Sequence, residues 1–209
     1  MTDSNGNGNR LDAPHFHRNR DPILETMTPM LVGRSGHALE IGCGTGQHVA
    51  AFAAAFPGIT WWPSDIDAAN RASADAWRAL DNQCPALALD ATSSDWKLDG
   101  ESRPPDGLTL IYSFNVIHIS PWQVAEGIAA GAGRHLADDG IWVLYGPYKR
   151  GGRHTAPSNE AFDQSLRARD PSWGVRNLED VQNLAAANGL LLTDVKELPA
   201  NNLIVVFRR

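Results

Sequence analysis

At 209 residues the chain fits one α/β domain with a sizeable core and scarcely two. Its 43% hydrophobic and 20% charged residues are those of an ordinary globular protein, which excludes a fibrous or disulfide-scaffolded class. A formal net charge of −6 argues against general nucleic-acid binding, because phosphate contacts reward a basic surface, though it leaves room for a local basic site.

Residues 1 to about 12 are dominated by Asn, Gly and Asp and predict a disordered leader (domain unit 1–13), with one domain over 14–209. This polar start has no apolar h-region, and no apolar run approaches the length of a membrane span. The segment Arg18-Asn19-Arg20-Asp21 precedes a helix-like stretch over 22–31. Short apolar runs then alternate with helical patterns, the mark of β-α-β units around a parallel sheet. Strands are predicted over 37–41, 59–62, 86–89, 108–114 and 141–145, with helices over 47–56, 68–80 and 121–136 between them. Asp67 is placed to cap the helix at 68, and Asp138-Asp139-Gly140 to turn into the strand at 141. Residues 146–152 form a polar, aromatic and basic loop. Helices over 159–169 and 178–188 follow, the second between Asn177 as N-cap and Gly189 as C-cap, and strands 190–198 and 203–207 close the chain through Pro199-Ala200-Asn201-Asn202. The expectation is a Rossmann-like, doubly wound, seven-stranded α/β sheet with an antiparallel last pair. Cys43 and Cys84 lie far apart without metal-ligand spacing, so no metal site is expected, and both read as thiols kept reduced in a cytoplasmic protein. No heptad pattern sets an oligomeric state.

Open α/β sheets bind ligands outside the carboxyl ends of their strands, near the switch in strand order. That rule singles out Glu40 to Gly46, Asp65, Asp90, Asn115 and Tyr145. Glycines following a buried strand permit a tight turn and let a ligand approach the backbone. The dinucleotide fingerprint would need a third glycine at Gln47, and a phosphate-binding P-loop needs Lys-Ser/Thr where the chain has Gln47-His48; both fail on residues. Asp65 lies about 20 residues beyond the loop, where a carboxylate accepts from ribose hydroxyls in dinucleotide folds. Its other reading, a turn or cap, is weakened because Asp67 is the better cap. Asp90 stands at a third strand end, with a turn or cap as its alternative reading.

The pattern Glu40-x-Gly42-x-Gly44-x-Gly46 resembles motif I of class I methyltransferases. The resemblance implies S-adenosylmethionine as cofactor, with Glu40, Gly42, Gly44 and Gly46 around its amino-acid and ribose parts, and Asp90 accepting from the adenine amino group. Several further stretches are similar to a family of methyltransferase-like proteins without an assigned substrate. These are Arg18 to Leu24, Trp62-Pro63-Ser64-Asp65-Ile66-Asp67, Asn115-Val116-Ile117-His118-Ile119-Ser120-Pro121-Trp122, Tyr145-Gly146-Pro147-Tyr148, the run Gly151 to Asn159, and Pro199-Ala200-Asn201-Asn202. The likeness runs from about Arg18 to Arg209; it implies fold and cofactor and no acceptor.

Methyl transfer is an in-line displacement in which alignment and desolvation supply much of the acceleration, so no nucleophile motif is required. Asn115 is a candidate contact to cofactor or acceptor. His118 is the candidate general base, since imidazole titrates near neutrality; its alternative is a hydrogen-bonded structural histidine. His48 reads as structural. Tyr148, Arg150, Arg153 and His154, spaced by Gly151-Gly152, suggest a mobile lid that grips an anionic acceptor, or else a solvated loop. By resemblance the Arg18–Asp21 segment folds over the cofactor. The leading function is thus a cofactor-dependent methyltransferase acting on a small, anionic acceptor, without nucleic-acid or membrane partners. The other reading is a non-catalytic cofactor-binding module that supports a protein interaction.

Overall fold

Apolar runs that recur between amphipathic stretches bury both faces of a sheet under helices. The computed structural model describes residues 9–98, 104 and 107–209, so residues 1–8 of the expected leader lie outside the described residues. In chain order the elements are α1 (Pro14–Leu31), β1 (Gly36–Ile41), α2 (Gln47–Ala55), β2 (Ile59–Asp65), α3 (Ala68–Trp77), β3 (Leu87–Ala88), β4 (Leu108–Phe114), α4 (Trp122–His135), β5 (Leu136–Arg150), β6 (Arg153–His154), α5 (Pro157–Arg169), β7 (Arg176–Asn177), α6 (Leu178–Ala187), β8 (Leu191–Leu198) and β9 (Asn202–Arg208).

The main sheet runs β3-β2-β1-β4-β5-β9-β8. Strands β1 to β5 are parallel, and β9 is antiparallel to both β5 and β8. The expected seven-stranded, doubly wound sheet with its antiparallel close is therefore present. The two-residue strands β6 and β7 both pair with the far end of β5. The chain winds outward from β1 to β3 and then crosses to β4 on the other side, so the switch point falls between β1 and β4.

The apolar runs are continuous because successive residues serve opposite faces. In β9, Leu203, Val205 and Phe207 join a cluster with Ala125, Ile128 and Ala132 of α4 and Val181 and Ala185 of α6. The intervening Ile204 and Val206 pack with Ile23, Met27 and Leu31 of α1 and Val49 and Phe52 of α2.

Three elements depart from the sequence reading. Helix α1 begins at Pro14 rather than near Pro22. Proline suits a first helical turn, and burial of Phe16, Ile23, Met27 and Leu31 along one stripe carries the helix through the internal Pro22 and Pro29. Asp138-Asp139-Gly140 is not a turn into β5. Leu136 already pairs with Leu108, and the register shift before Ile141 pairs with Leu110 absorbs these residues as an irregularity within the strand. The expected loop over 146–152 is largely strand: β5 continues to Arg150, Gly151-Gly152 turns, and Arg153 pairs back with Arg150. Residues 10–13, assigned to the leader, are tied down. Arg10 Nε donates to the Ala76 carbonyl, the Leu11 N–H to Ser73 Oγ, and the Ala13 N–H to Gln47 Oε1. Among the described residues no helix is long and apolar enough to cross a membrane.

Candidate functional site

The loop after β1 is built by hydrogen bonds that only a sharply turning backbone can make. The Cys43 N–H reaches the Ser64 carbonyl at 2.8 Å, the Gly46 N–H returns to the Cys43 carbonyl at 3.0 Å, and the Gly44 N–H meets Asp65 Oδ2 at 2.9 Å. Gly42, Gly44 and Gly46 all have positive φ (71°, 53° and 81°), the region that favours glycine. They differ in what a side chain would meet. At Gly42 a Cβ would fall 2.6 Å from Val116, and at Gly46 it would fall 2.3 Å from the Ala74 backbone. At Gly44 it would meet nothing within 4 Å.

Gln47, the residue that breaks the dinucleotide fingerprint, clamps the loop. Buried at the start of α2, its Oε1 accepts from Thr45 Oγ1 and the Ala13 N–H, and its Nε2 donates to Asp12 Oδ1. Ser73 Oγ of α3 secures the Thr45 carbonyl at 2.8 Å.

Glu40, Gly42, Gly44, Asp65, Asp90 and Asn115 line one cavity of about 830 Å³ at the carboxyl ends of β1 to β4. Its place is the switch point, where such sheets hold ligands. Gly46 is not in the lining; it packs α2 onto α3. Asp65 accepts from the Gly44 N–H, the Asp67 N–H and Asn70 Nδ2, so it orders the loop as well as facing the cavity. Asp67 caps α3 through the Ala69 and Asn70 N–H groups, as expected. Asp90 combines both its readings. It lines the cavity, and its Oδ1 accepts from the Thr92 N–H and hydroxyl, which holds its carboxyl below the usual range. Glu40 is 2% exposed, with Oε2 buried and without a partner. Burial, with the nearby Asp65 charge, pushes its carboxyl well above the usual value. A cationic ligand group at Glu40 would reverse that.

Most of the other wall residues carry no expected site role; Asn19 lies in the Arg18–Asp21 segment expected over the cofactor, and His48 is expected to be structural. Helix α1 contributes His15, Phe16 and Asn19, one face of its first turns, rather than Arg18 or Arg20; Arg20 instead pairs with Asp21. His48 of α2, Phe114 of β4, and Ser158, Asn159, Phe162, Leu166 and Arg169 of α5 follow, with Ala200 and Asn202 from the turn between β8 and β9. In that turn Ala200 and Asn201 both have φ near +60° (60° and 58°). The strain is held by α5, where Asn159 Nδ2 donates to the Asn201 carbonyl, and by Asn202 Nδ2 donating to the Tyr145 hydroxyl at 2.9 Å. The Pro-Ala-Asn-Asn motif is the signal that could have found this part of the wall.

The other candidates lie elsewhere. Asn115, left-handed at φ 63°, starts a short turn that carries His118 away from the cavity and beneath Gly146. There His118 is fully buried. Its Nδ1 accepts from the Arg176 N–H at 3.4 Å, and its ring meets Tyr148 edge-on at 5.0 Å. Tyr148, Arg150, Arg153 and His154 do not line the cavity either. Tyr148 is fully buried in the core, Arg150 lies 3.6 Å from Glu197, and exposed Arg153 belongs to the hairpin. His154, Lys149 and Arg167 converge on Asp163 Oδ2 at 3.4, 3.3 and 3.2 Å. Burial works against the Asp163 charge, but the Val175 N–H, Arg167 and Lys149 keep its carboxyl below the usual range. Lys149, Arg167 and Arg176 border a separate cavity of about 630 Å³.

The buried histidines make a prediction about acid. Burial, then the neighbouring Arg176 charge, pushes His118 down to about 3; burial, then His15, pushes His48 down to about 4. The unfolded value is about 6.5, so the unfolded chain binds more protons across this window. Stability from the neutral rings is complete above about pH 6.5 and is lost as pH falls towards the folded values, roughly 3–5 kcal/mol from each at about 1.4 kcal/mol per pH unit. Glu40, raised by burial, acts in the opposite sense. Denaturant unfolding between pH 7 and 4 should show stability falling, and His118→Asn should flatten the slope by about one proton. An unchanged slope would contradict this assignment.

The fold is that of the class I methyltransferases. Human N-acetylserotonin methyltransferase, in complex with SAM, aligns with a TM-score of 0.73 at 13% identity over 93% of this chain and 52% of that one. PigF with SAH gives 0.74 at 14% over 93% and 57%, and the mitomycin 7-O-methyltransferase MmcR 0.69 at 21% over 84% and 49%. This chain therefore spans about half the length of these proteins. With a family model that matches residues 10–209, nearly the whole described domain, the chain belongs to the family described as Protein of unknown function (DUF938).

Proposed function

We propose that the protein is an S-adenosylmethionine-dependent methyltransferase acting on a small molecule. The observation that carries this reading is the ring of Glu40, Gly44, Asp65 and Asp90 around one cavity at three adjacent strand ends. Asp65 would accept from the ribose hydroxyls, Asp90 from the adenine amino group, and the orphaned Glu40 Oε2 would face the ammonium of the amino-acid part. The open space over Gly44 leaves room for the ligand to lie against the backbone. When bound, the cofactor supplies a methyl carbon made electrophilic by its sulfonium sulfur. The chain's own part is to align that carbon with an acceptor and to exclude water, which apolar Phe16, Phe114 and Phe162 favour.

A volume of about 830 Å³ is near the top of the small-molecule range of roughly 300–1,000 Å³, and leaves space for an acceptor beside the cofactor. That room favours an enzyme over a cofactor-binding module. The names of two solved neighbours, methyltransferases with SAM or SAH bound, support the same reading, as does that of PigF with SAH. The test is a melting experiment with S-adenosylmethionine and S-adenosylhomocysteine, followed by transfer of labelled methyl into a metabolite extract. At a hundredfold excess over Kd, binding should raise the melting temperature by roughly 5–10 °C, and labelled product should accumulate. Folded protein that shows no shift would overturn the assignment.

A further inference from the structure

We infer that the half of the cavity beyond the glycine loop takes a planar aromatic hydroxyl compound, a phenol-class acceptor, and that His48 receives its proton. This rests on the cofactor reading above and adds the acceptor to it.

Apolar exposure points the same way as shape. Seven large hydrophobic side chains are well exposed among the described residues, and three of them, Ile66, Ile119 and Phe162, line this one cavity. Exposed apolar groups gathered in a concavity mark a binding surface. Phe16 and Phe114 extend the wall from α1 and β4, giving aromatic faces and edges suited to a flat ring.

Charge argues against an anion. Arg150 and Arg153 are outside the cavity; Arg169 is the one Lys or Arg in the described lining, and it already lies over the Trp173 ring at 5.3 Å. A carboxylate or phosphate would share this space with Glu40, Asp65 and Asp90.

His48 stands edge-on to Phe16 and Phe114, with ring centroids 4.9 and 5.1 Å away. Its Nδ1 is buried without a partner and the residue lines the cavity, so the acceptor's proton is assigned to Nε2. Burial keeps the ring neutral near pH 7, so Nε2 can accept a hydrogen bond, and the same burial opposes the imidazolium. A base this weak can take a proton only from a hydroxyl more acidic than an alcohol's, and only as the oxygen bonds to carbon. Phenols ionise near pH 10, as tyrosine does, and aliphatic alcohols far higher. In the step, the acceptor O–H bond breaks and its proton passes to Nε2. The oxygen forms a bond to the methyl carbon as the carbon–sulfur bond breaks, and that electron pair stays on sulfur, removing its positive charge. The imidazolium then releases its proton to water.

The experiment uses 2-naphthol, whose fluorescence reports both binding and ionisation. Full-length protein loaded with S-adenosylhomocysteine should bind it saturably, and Phe162→Ala, which alters an exposed side chain, should weaken binding roughly tenfold. With S-adenosylmethionine, transfer of labelled methyl to 2-naphthol should fall roughly 100- to 10,000-fold in His48→Gln, with cofactor affinity by calorimetry unchanged. Cofactor binding without any saturable naphthol signal, or transfer by His48→Gln as fast as wild type, would overturn this inference and leave the methyltransferase reading standing. Absence of cofactor binding would overturn both.

Discussion

Gly46→Ala should lower stability by about 2–4 kcal/mol and take the cofactor site with it. The new Cβ would stand 2.3 Å from the Ala74 Cα and 2.6 Å from its Cβ, distances no repacking of a flexible side chain relieves. The backbone conformation at φ 81° adds a penalty for any residue with a Cβ. Overpacking of a tight contact costs about 1–3 kcal/mol and the unfavourable φ roughly another 1. Because α3 also holds the Thr45 carbonyl through Ser73, pushing α2 and α3 apart would open the loop itself. A melting curve should show a drop of roughly 5–15 °C for a domain of this size. A variant as stable as wild type would mean that α2 and α3 are not in this contact.

The second large effect is at Asp65. Asp65→Ala should weaken S-adenosylmethionine binding by at least about 100-fold, since charge-assisted hydrogen bonds to two ribose hydroxyls are worth roughly 1.5–3 kcal/mol each. It should also cost about 2–3 kcal/mol of stability, because the Gly44 and Asp67 N–H groups lose their acceptor in a site where Asp65 is 7% exposed. Asp65→Asn separates the two effects in part: its one side-chain oxygen can accept from only one of the Gly44 and Asp67 N–H groups, which bind different oxygens, while the charge that favours the ribose is gone. Stability should recover in part and affinity only slightly. Equal recovery of both, measured by calorimetry and denaturant unfolding, would confine Asp65 to a structural part.

Most of the sheet was legible because its central strands carry apolar runs that no solvent-facing strand would have; the edge strand β8, LLTDVKEL, does not. Those runs place β1, β2, β4 and β9, and chain direction puts Glu40, Asp65 and Asp90 at the carboxyl ends of β1, β2 and β3. The far wall of the cavity was hidden for physical reasons. α1 presents His15 and Asn19 inward among arginines, so its cavity face has the composition of a solvent face, and Pro22 looks like a start when it is an interruption. His118 was singled out by its place after β4, but the left-handed Asn115 redirects the chain and buries it beneath Gly146. His48 had no motif to mark it; three-dimensional neighbours, Phe16 and Phe114, give it its setting. The basic stretch after β5, with its Gly151-Gly152, reads equally as a lid or a solvated loop. The strand continues instead, sending Tyr148 into the core, while the two glycines make a hairpin turn whose N–H groups are held by Glu179 and Asn177.

The central claim is that the backbone over the glycine loop is the floor of a cofactor site, and Gly44 tests it with least disturbance. Its φ of 53° is one that asparagine tolerates better than other residues, and no atom lies within 4 Å of where a Cβ would stand. Titration calorimetry of wild-type protein with S-adenosylmethionine should give saturable binding at one site per chain. Gly44→Asn, melting within a few degrees of wild type, should give none. Heat of equal size from the variant, or no heat from the wild type, would contradict the account.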